Sequence, residues 1–234
     1  MKLTTIALVF SIFTLSAQQK KSELGWMFSD LLVDGNLYFS YEREINEHWS
    51  WQINGGYKLP AGLVNISGID AEQLQTSDIN YTGFKITPSM KYYINSVKPD
   101  RMDGFYVGGY TKFGRYHTDI GATFIDSSDQ SYSLNFNTNM NLYSLGIMLG
   151  YKLPVSKRLA IDFLFLGFGK GWYSFDIKSQ TSVPDEFYDY LNAQLDKITL
   201  LDLINSDFSF SEINSNSSFF GSAARYGITL TYAF

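Results

Sequence analysis

Large apolar residues alternate with small or polar ones along most of this chain, most sharply at its end. In the last nine residues, Tyr226, Ile228, Leu230, Tyr232 and Phe234 alternate with Gly227, Thr229, Thr231 and Ala233. A period of two places the first set on one face of a β-strand and the second on the other. Chain ends are ordinarily frayed and polar, so an apolar strand running to the last residue needs an apolar environment there. The same period predicts strands over 24–32, 37–44, 49–58, 81–94, 104–116, 141–152 and 158–177, with the last over 219–234. Two are as regular as the last. Trp49, Trp51, Ile53, Gly55 and Tyr57 oppose Ser50, Gln52, Asn54 and Gly56, and Tyr143, Leu145, Ile147, Leu149 and Tyr151 oppose Ser144, Gly146, Met148 and Gly150. Pro88 removes a ladder donor within its strand, which predicts a bulge there.

The connections alternate in length. Turns after the second, fourth and sixth strands are short, whereas 59–80, 118–138 and 178–218 read as long polar loops; Asp34-Gly35 predicts a tight turn after the first strand. Within the last loop the period changes over 184–205. Phe187, Leu191, Leu195, Ile198 and Leu201 recur at spacings of three and four, as in an amphipathic helix, and Ser182 and Pro184 fit its start. An even strand count with short turns at one end and long loops at the other is the pattern of outer-membrane barrels. The predicted fold is therefore all-β: an eight-stranded antiparallel transmembrane β-barrel with one helix in its last extracellular loop and periplasmic termini.

Composition sharpens this reading. Aromatic residues make up 17% of the chain and charged residues only 18%. The polar faces carry Gly, Ser, Thr and Asn, small enough for a narrow lumen, while the apolar faces carry Trp, Tyr and Phe, as membrane girdles do. A soluble barrel would turn its apolar face inward instead. The absence of Cys excludes disulfides, thiolate metal sites and a lipid-bearing Cys. A net charge of -5 gives no polybasic footprint for nucleic acid. Lys2, the apolar run Leu3 to Leu15 and the small pair Ser16-Ala17 read as a secretory signal peptide over 1–18, cleaved between Ala17 and Gln19. The expected mature barrel, 19–234, lies in the bacterial outer membrane.

Several segments resemble a known family. Leu37-Tyr38-Phe39-Ser40-Tyr41-Glu42-Arg43, Ile86-Thr87-Pro88-Ser89-Met90-Lys91-Tyr92-Tyr93 and Gly104-Phe105-Tyr106-Val107-Gly108 resemble the second, fourth and fifth strands of small eight-stranded outer-membrane barrels of the Bacteroidota type, OmpX/OmpW-like. The ending resembles the terminal strand that barrel-insertion machinery reads. The resemblance implies outer-membrane lipid and that machinery as partners, and it carries no agreed activity and no cofactor. The insertion over 184–205 is longer than such barrels are expected to have.

The candidate sites follow from the faces. Glu42, Lys85, Lys91, Lys112 and Asp162 are expected in the lumen, where unpaired charge is costly, so they should pair. An interior of about eight strands is just wide enough for side chains, which favours a plug of ion pairs over a solute path. The stripe Phe187, Leu191, Leu195 and Ile198 must be buried, over the barrel's own mouth, on lipid, or on another outer-membrane protein. The expected role is non-enzymatic, a structural or interaction barrel and accessory subunit. A small barrel carrying an apolar solute is the alternative, with room or a lateral opening near Gly167, Gly169 and Gly171. A remote alternative is a surface hydrolase built on His117, Asp119 and the nearby Ser127 and Ser128. His48 reads as an interface residue, and Asp100/Asp103 and Asp126/Asp129 as turn carboxylates rather than metal ligands.

Overall fold

A computed structural model describes residues 22–60, 70–78, 80–94, 102–199, 204–205, 211 and 216–234. The expected signal peptide, Asp100 and Leu201 lie outside the described residues, as do the side chains of Leu195 and Ile198. Among the described residues, ten strands form one antiparallel sheet: β1 (Ser22–Met27), β2 (Asn36–Glu44), β3 (Trp49–Lys58), β4 (Leu74–Thr76), β5 (Thr82–Tyr93), β6 (Gly104–Ile125), β7 (Ser131–Pro154), β8 (Leu159–Ser179), β9 (Ile204–Asn205) and β10 (Asn216–Ala233). Eight of them, in the order β1-β2-β3-β5-β6-β7-β8-β10, close into a ring because β1 also pairs with β10. The strands expected from the period of two all belong to that ring. β4 continues the edge of β6 beyond β5, and β9 adds to β10. Two helices, α1 (Phe28–Asp34) and α2 (Asp185–Thr199), accompany the sheet.

Three expectations are corrected. The first strand ends at Met27, and Phe28 to Asp34 is helical rather than extended. Gly35, left-handed at φ 68°, stops that helix and returns its N–H to the Asp30 and Leu31 carbonyls. The stretch 118–138 is not a loop. β6 runs 22 residues and β7 24, joined only by a turn over 126–130. At about 3.4 Å per residue these strands reach about 75 Å, roughly twice what crosses a bilayer. Pro88 makes no bulge: β5 keeps one register with β6 on either side of it, and only the pairs at Thr87 and Pro88 are missing from the ladder. The register shifts occur instead on β8 at Phe165-Leu166, opposite Leu149/Gly150 of β7 and Arg225/Gly227 of β10.

The long upper parts of β6 and β7, with β4 and α2, form a blade beyond the ring. Its core is Leu74, Ala122, Phe124, Leu134, Phe136 and Phe187. Ser22, the C-terminal Phe234 and the turns after β2 and β7 lie at the other end.

Candidate functional site

The outer surface changes polarity along single strands without any change of register. On β7 the outward residues are Ser133, Asn135, Asn137, Asn139 and Asn141, then Tyr143, Leu145, Ile147, Leu149, Tyr151 and Leu153. The inward residues change the opposite way, from Leu134 and Phe136 to Ser144, Gly146 and Lys152. β6 switches at the same level, from Arg115 back to Phe113, because Arg115 pairs with Asn141 and Phe113 with Tyr143. β8 and β10 follow: Trp172 pairs with Tyr143 and Phe220 with Trp172, whereas Ser174 and Ser218 lie one step beyond. Phe113, Tyr143, Trp172 and Phe220 thus form a row of outward rings with centroids 5.7, 6.5 and 5.8 Å apart. Below that row the exterior is predominantly apolar, with Ile147 73% and Leu145 67% exposed, and Lys170 of β8, one outward step below Trp172, is an exposed charge on it. A second row, Trp49, Tyr92, Phe105, Tyr151 and Tyr232, lies near the terminal end. From Tyr143 to Leu153 the strand covers about 33 Å, which at a tilt near 40° is a band about 25 Å tall, the height of a bilayer-facing band.

Inside the band the core is charged. Glu42 is 1% exposed and accepts four hydrogen bonds. Ser50 Oγ (2.6 Å) and the Tyr93 hydroxyl (2.7 Å) donate to its Oε1, and Lys91 Nζ (3.0 Å) and Lys152 Nζ (2.7 Å) to its Oε2. Lys91 also donates to Asp162 Oδ2 (2.7 Å), whose Oδ1 accepts from the Tyr106 hydroxyl (2.7 Å); Lys152 also donates to Glu23 (2.9 Å). The ammonium of Lys91 stands 4.5 Å from the Tyr106 ring centroid, and that of Lys152 5.5 Å from that of Tyr93. These side chains come from β1, β2, β3, β5, β6, β7 and β8, so the network ties the ring together across its interior. Gly150 leaves room for the Tyr106 ring to lie across β7, where any Cβ would strike the ring and the Phe163 carbonyl.

Of the expected lumen charges, Glu42, Lys91 and Asp162 come together in this plug. Lys85 does not join it: its ammonium meets Asp30 of α1 higher in the ring. Lys112 is half-buried beside Lys85 and Arg225, without an ion-pair partner among the described residues. Lys152 and Glu23 are additions that the sequence pattern did not single out. Lys152 continues the inward series 144, 146, 148 and 150 but sits beside a turn, at the expected end of its strand. Glu23 precedes the expected start of the first strand, yet it shares the inward parity of Gly25 and Met27.

The other candidates resolve as follows. The side chains of Arg225 and Tyr110 crowd the place where a Gly167 Cβ would be, that of Tyr173 the place of a Gly171 Cβ, and Leu145 and Gly146 backbone closes on Gly169. His117 Nε2 stands 3.8 Å from Asp119 with both side chains exposed, and its ring neighbours are Asn137 and Asn139. Ser127 is bonded to Glu186 of α2 (3.0 Å). Phe187 is 3% exposed, stacked on Phe136 at 5.2 Å and edge-on to Phe124 at 5.5 Å, and Leu191 packs beside it. The helix stripe at Phe187 is thus covered by the chain's own sheet, which leaves that ring no free face for a partner. In the terminal strand, Tyr226, Leu230, Tyr232 and Phe234 point outward into the apolar band, and Ile228 is half-buried. His48 caps a turn, its Nδ1 3.0 Å from the Tyr93 carbonyl. Asp126 accepts from the N–H groups of Ser128 (2.8 Å) and Gln130 (2.9 Å); the Gln130 bond, then the Ser128 bond, hold its carboxyl below the usual carboxylate range.

No curated protein matches the chain. Among solved structures it is similar to CarO of Acinetobacter baumannii, with 11% identity and a TM-score of 0.39 over 92% of this chain and 96% of that one. It is similar to a major outer membrane protein from Thermus thermophilus, with 12% identity and a TM-score of 0.39 over 92% and 99%. The outer membrane protease OmpT from Escherichia coli is a third, with 9% identity and a TM-score of 0.30 over 92% and 93%. Residues 4–184 match the sequence family described as "Protein of unknown function (DUF3575)", and the chain belongs to that family.

Proposed function

We propose that this chain is an eight-stranded outer-membrane β-barrel, of the OmpX/OmpW-like kind, with a sealed lumen and a non-enzymatic, structural or interaction role. In this reading the termini are periplasmic, a signal peptide is cleaved on export, and the terminal Tyr226 to Phe234 strand is what the insertion machinery reads. The observation that carries it is the switch of outward residues from Asn141 to Tyr143 and from Arg115 to Phe113 at one level. One unbroken pair of strands has an apolar outside below that level and an apolar inside above it. Only a change of solvent from lipid to water suits both halves. The Glu42 network supports a closed barrel over a pore, since its buried ions are paired and none is left to bind a passing solute at that depth.

The blade supports a display role. It holds α2 on a rigid sheet about as long as the membrane-spanning part, in what would be extracellular water. A partner, such as another outer-membrane protein, would meet the helix on the side away from Phe187, where Asp189 and Ala193 are exposed. The test is reconstitution of the full chain into phospholipid vesicles loaded with a small anionic dye. The expected result is dye retention, with added protease cutting only in the blade and outer loops. Dye efflux would remove the sealed barrel, and cleavage within 143–153 would remove the membrane band.

A further inference from the structure

We infer that the outer half of the ring holds a binding site for an oxyanion, a phosphate or carboxylate group, made by Arg225, Lys112, Tyr110 and Ser144. The inference deepens the sealed-barrel reading by giving the space above the plug a ligand. It rests on closure of the ring, not on membrane location.

Three observations converge. The first is charge. Lys85, Lys112 and Arg225 face the same space, and of these only Lys85 has a carboxylate, Asp30, in contact among the described residues. The lower network is the reverse, three carboxylates for two ammonium groups, and it is fully bonded. Cations held close together inside a barrel repel one another and are costly to desolvate unless an anion joins them.

The second is unused hydrogen-bonding capacity. Among the described residues, Arg225 Nη1, the Tyr110 hydroxyl and Ser144 Oγ are buried without a hydrogen-bond partner. Tyr110 is 3% exposed and Ser144 7%. Buried polar atoms are ordinarily satisfied, so three orphans in one patch mark a missing acceptor. All three can donate to an oxygen.

The third is placement. The Arg225 guanidinium lies over the Tyr110 ring, 4.8 Å from its centroid. Tyr110 lies across Gly146 and alongside Gly167, and Arg225 also crosses Gly167, so both glycines serve as seats for the two side chains. Ser144 is the next inward residue of β7 beyond Gly146, and Lys112 is its register partner on β6. A planar guanidinium, a point-charge ammonium and two hydroxyls around one space match the oxygens of a phosphate or carboxylate. Lys112 and Arg225 are half-buried rather than sealed, so part of each side chain is open to solvent.

The test uses the full folded chain in maltoside micelles free of phosphate, titrated calorimetrically with inorganic phosphate. The expected result is saturable binding that weakens with added salt. Arg225→Gln and Lys112→Gln should each weaken it about tenfold or more, equivalent to at least about 1.4 kcal/mol. Melting of the phosphate-free Lys112→Gln protein should be unchanged or raised, because an unneutralised charge has been removed. A lowered melting temperature with unchanged phosphate binding would overturn the site by making Lys112 structural. Micelles doped with phosphatidylglycerol form the second arm. Binding there but not with free phosphate assigns the oxyanion to a lipid headgroup, and free phosphate binding assigns it to a soluble anion. Absence of binding in both arms, with phosphate raised to roughly ten times millimolar, overturns the proposal.

Discussion

Replacing Ile147 by Arg measures what the outside of the ring touches. Ile147 is 73% exposed on β7, between register partners Gly109 and Phe168. It stands four residues from both Tyr143 and Tyr151, about 13 Å along the strand each way and about 10 Å in depth at a tilt near 40°. That is the middle of the band. In water, exchanging one exposed side chain for another ordinarily changes stability by no more than about 0.5 kcal/mol. Arg at the midplane of a bilayer costs about 2–4 kcal/mol, falling to about 0–1 near the interfaces. The same strand supplies controls: Asn139→Arg lies beyond the aromatic row and should be neutral, and Asn141→Arg at the boundary should cost at most about 1 kcal/mol. The assay is reversible urea unfolding of the chain from phospholipid vesicles, followed by tryptophan fluorescence. Equal effects at 139 and 147 would refute the reasoning, since the depth profile is its only source of asymmetry.

Lys152→Met should destabilise by about 3–5 kcal/mol in the same assay, because Glu23 loses its ammonium partner and Glu42 keeps only one; adding Glu23→Gln should restore part of the loss. A change under about 0.5 kcal/mol for Lys152→Met would show that the buried network does not hold the ring. Phe187→Ala should leave the ring's unfolding unchanged while amides of 118–125 and 131–138 exchange faster, because the ring is buried only in the blade core; unchanged exchange would mean α2 does not brace the blade. The folded Asp126 carboxyl is depressed by N–H donors, so its contribution to the 126–130 turn is full above the unfolded value near 4 and is lost as pH falls through the folded value. Amide shifts of Ser128 and Gln130 should therefore titrate below about pH 4, and Asp126→Asn, which keeps the acceptor oxygen, should flatten them.

Much of the ring is legible in the sequence because a half-buried strand must alternate, whichever solvent lies outside. The lumen charges Glu42, Lys91 and Asp162 are legible from the same parity. The blade is hidden for a physical reason. Ser131 to Asn139 is rich in turn-forming polar residues, yet Tyr132, Leu134 and Phe136 alternate within it, facing inward as in a water-soluble sheet. Composition there points to a loop, and the weaker periodicity prevails. α1 is hidden because Leu24 to Leu32 is short, and its change of period at Phe28 spans only two turns, below the length at which helical spacing separates from strand spacing. Arg225 and Tyr110 cannot be singled out from the chain alone, since their meeting depends on β10 and β6 facing one another across the ring and on the slip at Phe165-Leu166.

The chain has no cysteine, so single cysteines at the outward positions of β7 can be introduced on a clean background. We would place them one at a time from 133 to 153 in vesicle-reconstituted protein and treat each with a membrane-impermeant maleimide. Labelling at 133, 135, 137, 139 and 141 with protection at 145, 147 and 149 is the predicted result. Uniform labelling of all outward positions down to 153 would mean that water, not lipid, surrounds the ring.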